Sequence, residues 1–279
     1  MFESVYGVDF SGAKLAGRNI WIAKAEPRAR GKLRLIELVS LEELCGTAER
    51  APALHHLVRL ISDSDASLWG MDFPFGLPVE VVHEGPRWRC QFELIHRWSH
   101  DPYALGLECL KRAKAIGREM HIRRLTDSET KAPFDCYHYR IIYQFYFGMA
   151  DVIAPLARNR RTAIVPFHYR RLPAARRVVA ESCPSSTLKR LRLPYQNYKQ
   201  PAGGPLTPKR RRTRHLILES LHRVIHIPDH HRRRIMRNPG GDALDAVIAA
   251  VGVHQAWHAS DHGAIARHPR YPREGFIYA

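Results

Sequence analysis

Three short stretches of this 279-residue chain end an apolar run in a carboxylate. "VYGVDFSGAK" brings out Asp9, "ASLWGMDFPFGLP" brings out Asp72, and "RRVVAESCPSS" brings out Glu181, each just ahead of turn residues. "NPGGDALDAVIAA" adds Asp242 and Asp245, three apart and so on one face of a helical first turn. Singly, each acid has a modest explanation. Asp9 and Asp72 suit turns, Asp242 suits a helix N-cap, and first-turn acids are favoured by the helix dipole. Their repetition predicts a site. Carboxylates brought close repel one another, and their pKa values rise unless a cation neutralises them. Magnesium or manganese does this with oxygen ligands. Two such ions about 3.5–4 Å apart clamp the attacking and leaving oxygens of a phosphodiester. The metal ligands expected on this ground are Asp9, Asp72, Glu181, Asp242 and Asp245.

The elements that must position these acids read as follows. Residues 4–10, 19–27 and 32–41 alternate as strands and form an antiparallel meander. Residues 40–61 are helical, with Ser40 as N-cap, Glu43 at the third position and Pro52 dividing the run. Short buried strands end at Asp72 and Glu181. "STLKRL" starts a helix, Gly240-Gly241 opens another over 238–259, and "EGFIYA" is a last short strand or extended tail. Residues 84–165 read as a mainly helical insertion, and 205–215 as a flexible loop. A meander followed by alternating strands and helices predicts a single α/β domain over 1–279, a mixed sheet covered by helices.

Composition bounds the partners. With 44 basic against 27 acidic residues the net charge is +17, which attracts polyanions, nucleic acid first among them. Nine of the 44 basic residues are lysine, so compositional drift toward arginine on a solvated face is the competing explanation. The charge clusters, however, in "ARNRR", "HYRRLPAARR", "PKRRRTRH" and "HHRRRIMR". Candidate nucleic-acid contacts are Arg210, Arg211, Arg212, Arg232 and Arg233. Arg123 and Arg124 join them from a segment that interleaves basic and aromatic residues. Within that segment Tyr143, Phe145 and Tyr146 read as core. His254 and His258 have the i, i+4 spacing of a transition-metal site and His262 follows, but their place near a helix C-terminus, where cationic side chains are favoured, is the preferred explanation. Five scattered cysteines without C-x-x-C spacing argue against a disulfide framework or zinc site. No transmembrane span and no signal peptide are expected, so a cytoplasmic protein without membrane contact is predicted.

The motifs "GVDFSGA", "GMDFPFGLP", "ESCPSSTLKRL" with "NYK" following, "GGDALDAVIAA" and "EGFIY" resemble those of the family catalogued as domain of unknown function 429. Its members are described as predicted nucleases of the RNase H-like superfamily. The resemblance runs from residue 7 to residue 278. It implies an RNase H-like five-stranded mixed sheet flanked by helices, and a metal-dependent nuclease with a two-metal carboxylate mechanism. By the same resemblance the first-strand acid is Asp9, the fourth-strand acid is Asp72, and the acid of the last core helix is Asp245 or Asp242. Glu181 is a further ligand or positioning residue. Lys199 matches a Tyr-Lys pair, where it would contact a scissile phosphate or stabilise the leaving oxygen; a surface lysine is the plainer reading. Two other functions stay open. One is an actin-like ATP-dependent phosphotransferase, which "GVDFSG" fits loosely. The other is a nucleic-acid-binding module without catalysis.

Overall fold

The computed structural model describes residues 2–117, 119–200 and 203–279. Arg118, inside the expected insertion, and Met1, Pro201 and Ala202 lie outside them. A seven-stranded mixed sheet forms the centre, in the order β5-β6-β4-β1-β2-β3-β7. The strands are β1 Ser4–Asp9, β2 Trp21–Pro27, β3 Leu33–Ser40, β4 Ser67–Asp72, β5 Thr162–Val165, β6 Arg177–Glu181 and β7 Ile225–His226. The first three pair antiparallel as the alternation predicts, and every other pairing is parallel. Five strands were expected. The two extra ones are the edge strands β5 and β7, of four and two residues, too short to carry a readable alternation.

Side chains alternate across a strand, so each strand serves both layers. Val8, Trp69, Met71 and Val179 face one core, shared with the Arg50–Asp63 helix and the 84–165 segment. Val5, Leu68, Val178 and Ala180 face the other, filled by the Asp242–Ala259 helix. That helix is apolar nearly all round and buried from Ala243 to His254, as a helix pressed into a core must be. Gly7 and Gly70 let it lie against the sheet. A Cβ on Gly7 would stand 2.0 Å from the Ala246 carbonyl oxygen, and one on Gly70 would stand 2.8 Å from Val253.

Local signals decide most boundaries. Ser40 accepts from the Glu43 N–H while the Glu43 carboxylate accepts from the Ser40 N–H, the expected capping box. The 40–61 run does break, but at Gly46, whose φ of 73° ends the Leu41–Cys45 turn. Pro52 falls in the first turn of Arg50–Asp63, where a missing N–H costs nothing. The predicted flexible loop is corrected as well. From Pro208 onward it is the helix Pro208–Leu221, started by Thr207 accepting from the Arg210 N–H with Pro208 at the first position.

The 84–165 segment carries helices Cys90–Arg97, Pro102–Ala115, Leu125–Glu129 and a continuous run from Ile142 through a wider π turn to Arg158, then β5. Phe145 and Tyr146 are buried there as expected, whereas Tyr143 is 42% exposed. It sits on the outer face of its helix. No helix among the described residues is long and apolar enough to cross a membrane.

Candidate metal centre

β1 and β4 are parallel neighbours whose register pairs Gly7 with Gly70 and Asp9 with Asp72. The two aspartates therefore end adjacent strands on the same face of the sheet. That face is covered by the Asp242–Ala259 helix, whose second turn lies over Gly7. Its first turn accordingly reaches the strand ends and delivers Asp245. Carboxylate oxygens of Asp9, Asp72 and Asp245 all lie within 4.8 Å of one another. They line a cleft of about 390 Å³ together with Asp242, Tyr198, Lys199 and Ser11.

The start of the helix is built without using these acids. Gly241, with φ of 98°, is the N-cap, so the expectation that Asp242 caps the helix is corrected. The side chain of Asn238 does the capping, accepting from the N–H groups of Gly241 at 2.8 Å and Ala243 at 3.3 Å. Asp242 and Asp245 are thus free for the cleft. Of the two, Asp245 joins the three-acid cluster, while Asp242 sits at its rim with Asn238 Nδ2 3.4 Å away.

Among the described residues, the cation in direct contact with the acid cluster is Lys199. The Lys199 ammonium is ion-paired with Asp245, and the Tyr198 hydroxyl donates to the other Asp245 oxygen at 2.9 Å. Lys199, which the sequence left between a phosphate contact and a surface lysine, is therefore part of the site. Burial opposes its charge, but Asp245 and Asp9 outweigh burial and hold its pKa well above the usual lysine range. The carboxylates remain under-neutralised. Burial, with the charges of Asp245, Asp242 and Asp72, lifts Asp9 well above the ordinary range against the pull of Lys199. Burial and then Asp245 raise Asp72 to about 8. Asp242 is raised too, by burial first.

Glu181 stands apart. Its register partner on β4 is Met71, not Asp72, so strand alternation turns it to the opposite face. There it is 2% exposed and fully engaged. Glu181 Oε2 accepts from the Phe75 N–H at 3.0 Å and from Arg124 Nη1 at 2.8 Å, and Arg124 Nη2 reaches Oε1. Burial raises its pKa while Arg124 pulls it down. Its expected role as a metal ligand is corrected to that of a buried ion-pair partner. Arg124 is corrected with it. At 1% exposure, bound to Asp127, Glu181 and the Glu274 carbonyl, it has no face for nucleic acid.

The remaining expected contacts divide by position. Arg123 is exposed but donates to the carbonyls of Ala132 and Pro133. Arg210 holds Gln200, while Arg211, Arg212 and Arg233 are exposed and Arg232 is half-buried. Ser11 accepts from the Ala13 N–H at 3.3 Å, a turn contact at the cleft edge. His254 and His258 meet edge to face, and among the described residues the acid trio is the cluster suited to a metal.

Two supporting residues escaped the sequence reading. Tyr198 was signalled by its place beside Lys199. Arg214, fully buried, donates to the carbonyls of Tyr198, Ile235, Asn238 and Pro239. It thereby ties the segment carrying Tyr198 and Lys199 to the loop that opens the acid helix. Nothing in "PKRRRTRH" singles it out. Comparison of the chain with family models, with curated proteins and with solved structures gave no match.

Proposed function

We propose that this protein is a metal-dependent nuclease of RNase H-like architecture that hydrolyses phosphodiester bonds. The observation that carries the reading is the convergence of Asp9, Asp72 and Asp245 within 4.8 Å from three separate parts of the chain. The middle of the sheet supports it as well. Strands β3-β2-β1-β4-β6, with β2 alone reversed, make a five-stranded mixed core of the kind the motif resemblance implies.

The donor set fits a hard divalent cation. Three carboxylates offer oxygen ligands, burial and neighbouring acids hold Asp9 and Asp72 above the ordinary carboxylate range, and the Lys199 ammonium already stands in as a cation beside Asp245. Asp9, Asp72 and Asp245 would hold magnesium or manganese, and Asp242 is the fourth carboxylate from which a two-ion arrangement would draw. When bound, the metal would neutralise the phosphate and lower the pKa of an attacking water. Tyr198 fixes one oxygen of Asp245 and so sets the direction of the other. Lys199, released from Asp245, reaches the cleft with a positive charge suited to a phosphate oxygen or a departing alkoxide.

Purified protein incubated with end-labelled DNA and RNA, single- and double-stranded, should cleave at least one of them with magnesium or manganese and none with EDTA. Asp9→Asn should abolish that cleavage while the circular dichroism spectrum stays unchanged. Equal cleavage by the two proteins would end the proposal.

A further inference from the structure

A second cleft, of about 530 Å³, lies between the helices Pro208–Leu221 and Asp229–Arg237. Arg211 and His215 line it from one helix, and Arg232, Arg233 and Arg237 from the other. Arg211/His215 and Arg233/Arg237 are each four apart, so each pair presents one face. Arg124 and Arg214 face inward, and Arg123, Arg210 and Arg232 hold protein partners. Here Arg211, Arg233 and Arg237 are exposed, and among the described residues no carboxylate stands within 4.0 Å of their guanidinium groups. Leu206, Leu218 and Met236 give the same cleft an apolar floor.

We propose that this cleft seats an unpaired stretch of nucleic acid and leads it to the three aspartates. The proposal rests on the nuclease reading and adds to it the form of the substrate. Guanidinium groups without acid partners call for phosphates. An apolar floor gains nothing from a duplex, whose bases are stacked inward. It gains from an unpaired base, which offers an apolar face to Met236 and Leu218 and stacks on arginine planes. The volume falls within the range of pockets that enclose small ligands, a scale suited to splayed nucleotides. Continuity supplies the direction. Pro239 lines the cleft, its carbonyl accepts from the N–H of Gln200 next to Lys199, and Asp242 follows three residues on. A strand leaving the cleft past Pro239 meets Lys199 and the acid cluster.

The test uses the full chain in EDTA, so that binding is read without cleavage. A fluorescein-labelled 12-nucleotide single strand, the same sequence as a duplex, and polyglutamate are titrated by anisotropy at several salt concentrations. The probed variant carries Arg211→Ala, Arg233→Ala and Arg237→Ala together. All three side chains are exposed and unpaired, so its melting temperature should match wild type. Single strands neutralise about 0.7 counterion per phosphate contact, so the slope of log K against log salt should fall by about 2, and affinity about 100-fold at 0.1 M salt. Unchanged single-strand binding in the triple variant overturns the proposal. So does duplex or polyglutamate binding as tight as the single strand with the same loss on substitution. The nuclease reading fails separately: wild type that binds through these arginines but never cleaves with manganese leaves the cleft assigned and removes the catalysis.

Discussion

The charge balance of the acid cluster makes a quantitative demand on stability, and Asp72 is the place to measure it. Burial and the neighbouring Asp245 hold its folded-state pKa at about 8 against an ordinary 3.8, with Lys199 opposing the rise. The sign follows from linkage. Between those two values the folded protein keeps a proton that the unfolded chain has already released, so raising the pH favours unfolding. Each pH unit in that window costs about 1.4 kcal/mol, giving at most about 6 kcal/mol by the time Asp72 ionises in the folded state. That is a large part of the roughly 5–15 kcal/mol available to a typical domain. Asp72→Asn cannot ionise, so metal-free Asp72→Asn should be several kcal/mol more stable than wild type at pH 8.5 and close to it at pH 4.5. Urea denaturation in EDTA at pH 4.5, 6.5 and 8.5 measures both profiles. Manganese at 100 times its Kd should then return about 2.7 kcal/mol to wild type at pH 8.5 and far less to the variant. Parallel pH profiles for the two proteins, or a variant weaker than wild type at pH 8.5, would refute the claim that this site is held at an electrostatic cost.

Other outcomes follow from single contacts. Arg124→Met leaves Glu181 and Asp127 buried without their counter-ion and should cost about 3–5 kcal/mol in urea denaturation. Gly7→Ala places a methyl 2.0 Å from the Ala246 carbonyl oxygen, and the helix bearing Asp245 must shift. A loss of about 3 kcal/mol or more is expected, together with weakened manganese binding by calorimetry. Lys199→Met removes the ammonium that competes with a metal for Asp245. With the interaction discounted for the partial exposure of Lys199 to about 1.4 kcal/mol, manganese should bind about tenfold tighter while cleavage falls. Weaker manganese binding in that variant would show that Lys199 supports the site instead of competing for it.

What the sequence made legible was local. The capping box at Ser40, the meander, and the aspartates at the ends of β1 and β4 all follow from alternation and turn residues within ten positions of each other. What it hid was register and burial. Glu181 ends its strand as Asp72 does, yet pairing β6 to β4 offsets it by one residue, and one residue decides the face. That pairing joins positions more than a hundred residues apart, and no local pattern encodes it. Arg124 and Arg214 look like the surface arginines around them, because a guanidinium enclosed by carbonyls or carboxylates has no sequence mark. The Pro208–Leu221 helix was obscured by its polarity, although Thr207-Pro208 is a start signal that outweighs composition.

The two faces of these strand ends show why one set of acids is structural and the other is suited to chemistry. On one face Glu181 and Asp127 enclose Arg124, a rigid cation with several fixed donors and almost no exposure. That charge balance is permanent, because removing the arginine would strand both acids. On the other face Asp9, Asp72 and Asp245 share Lys199, a single ammonium on a flexible, partly exposed stem that engages Asp245 directly. Three carboxylates against one ammonium leave a deficit of positive charge that a divalent ion would offset. The sheet therefore brings acids to both faces at one end of its strands, and the exposure of the counter-charge separates the enclosed ion pair from the candidate site.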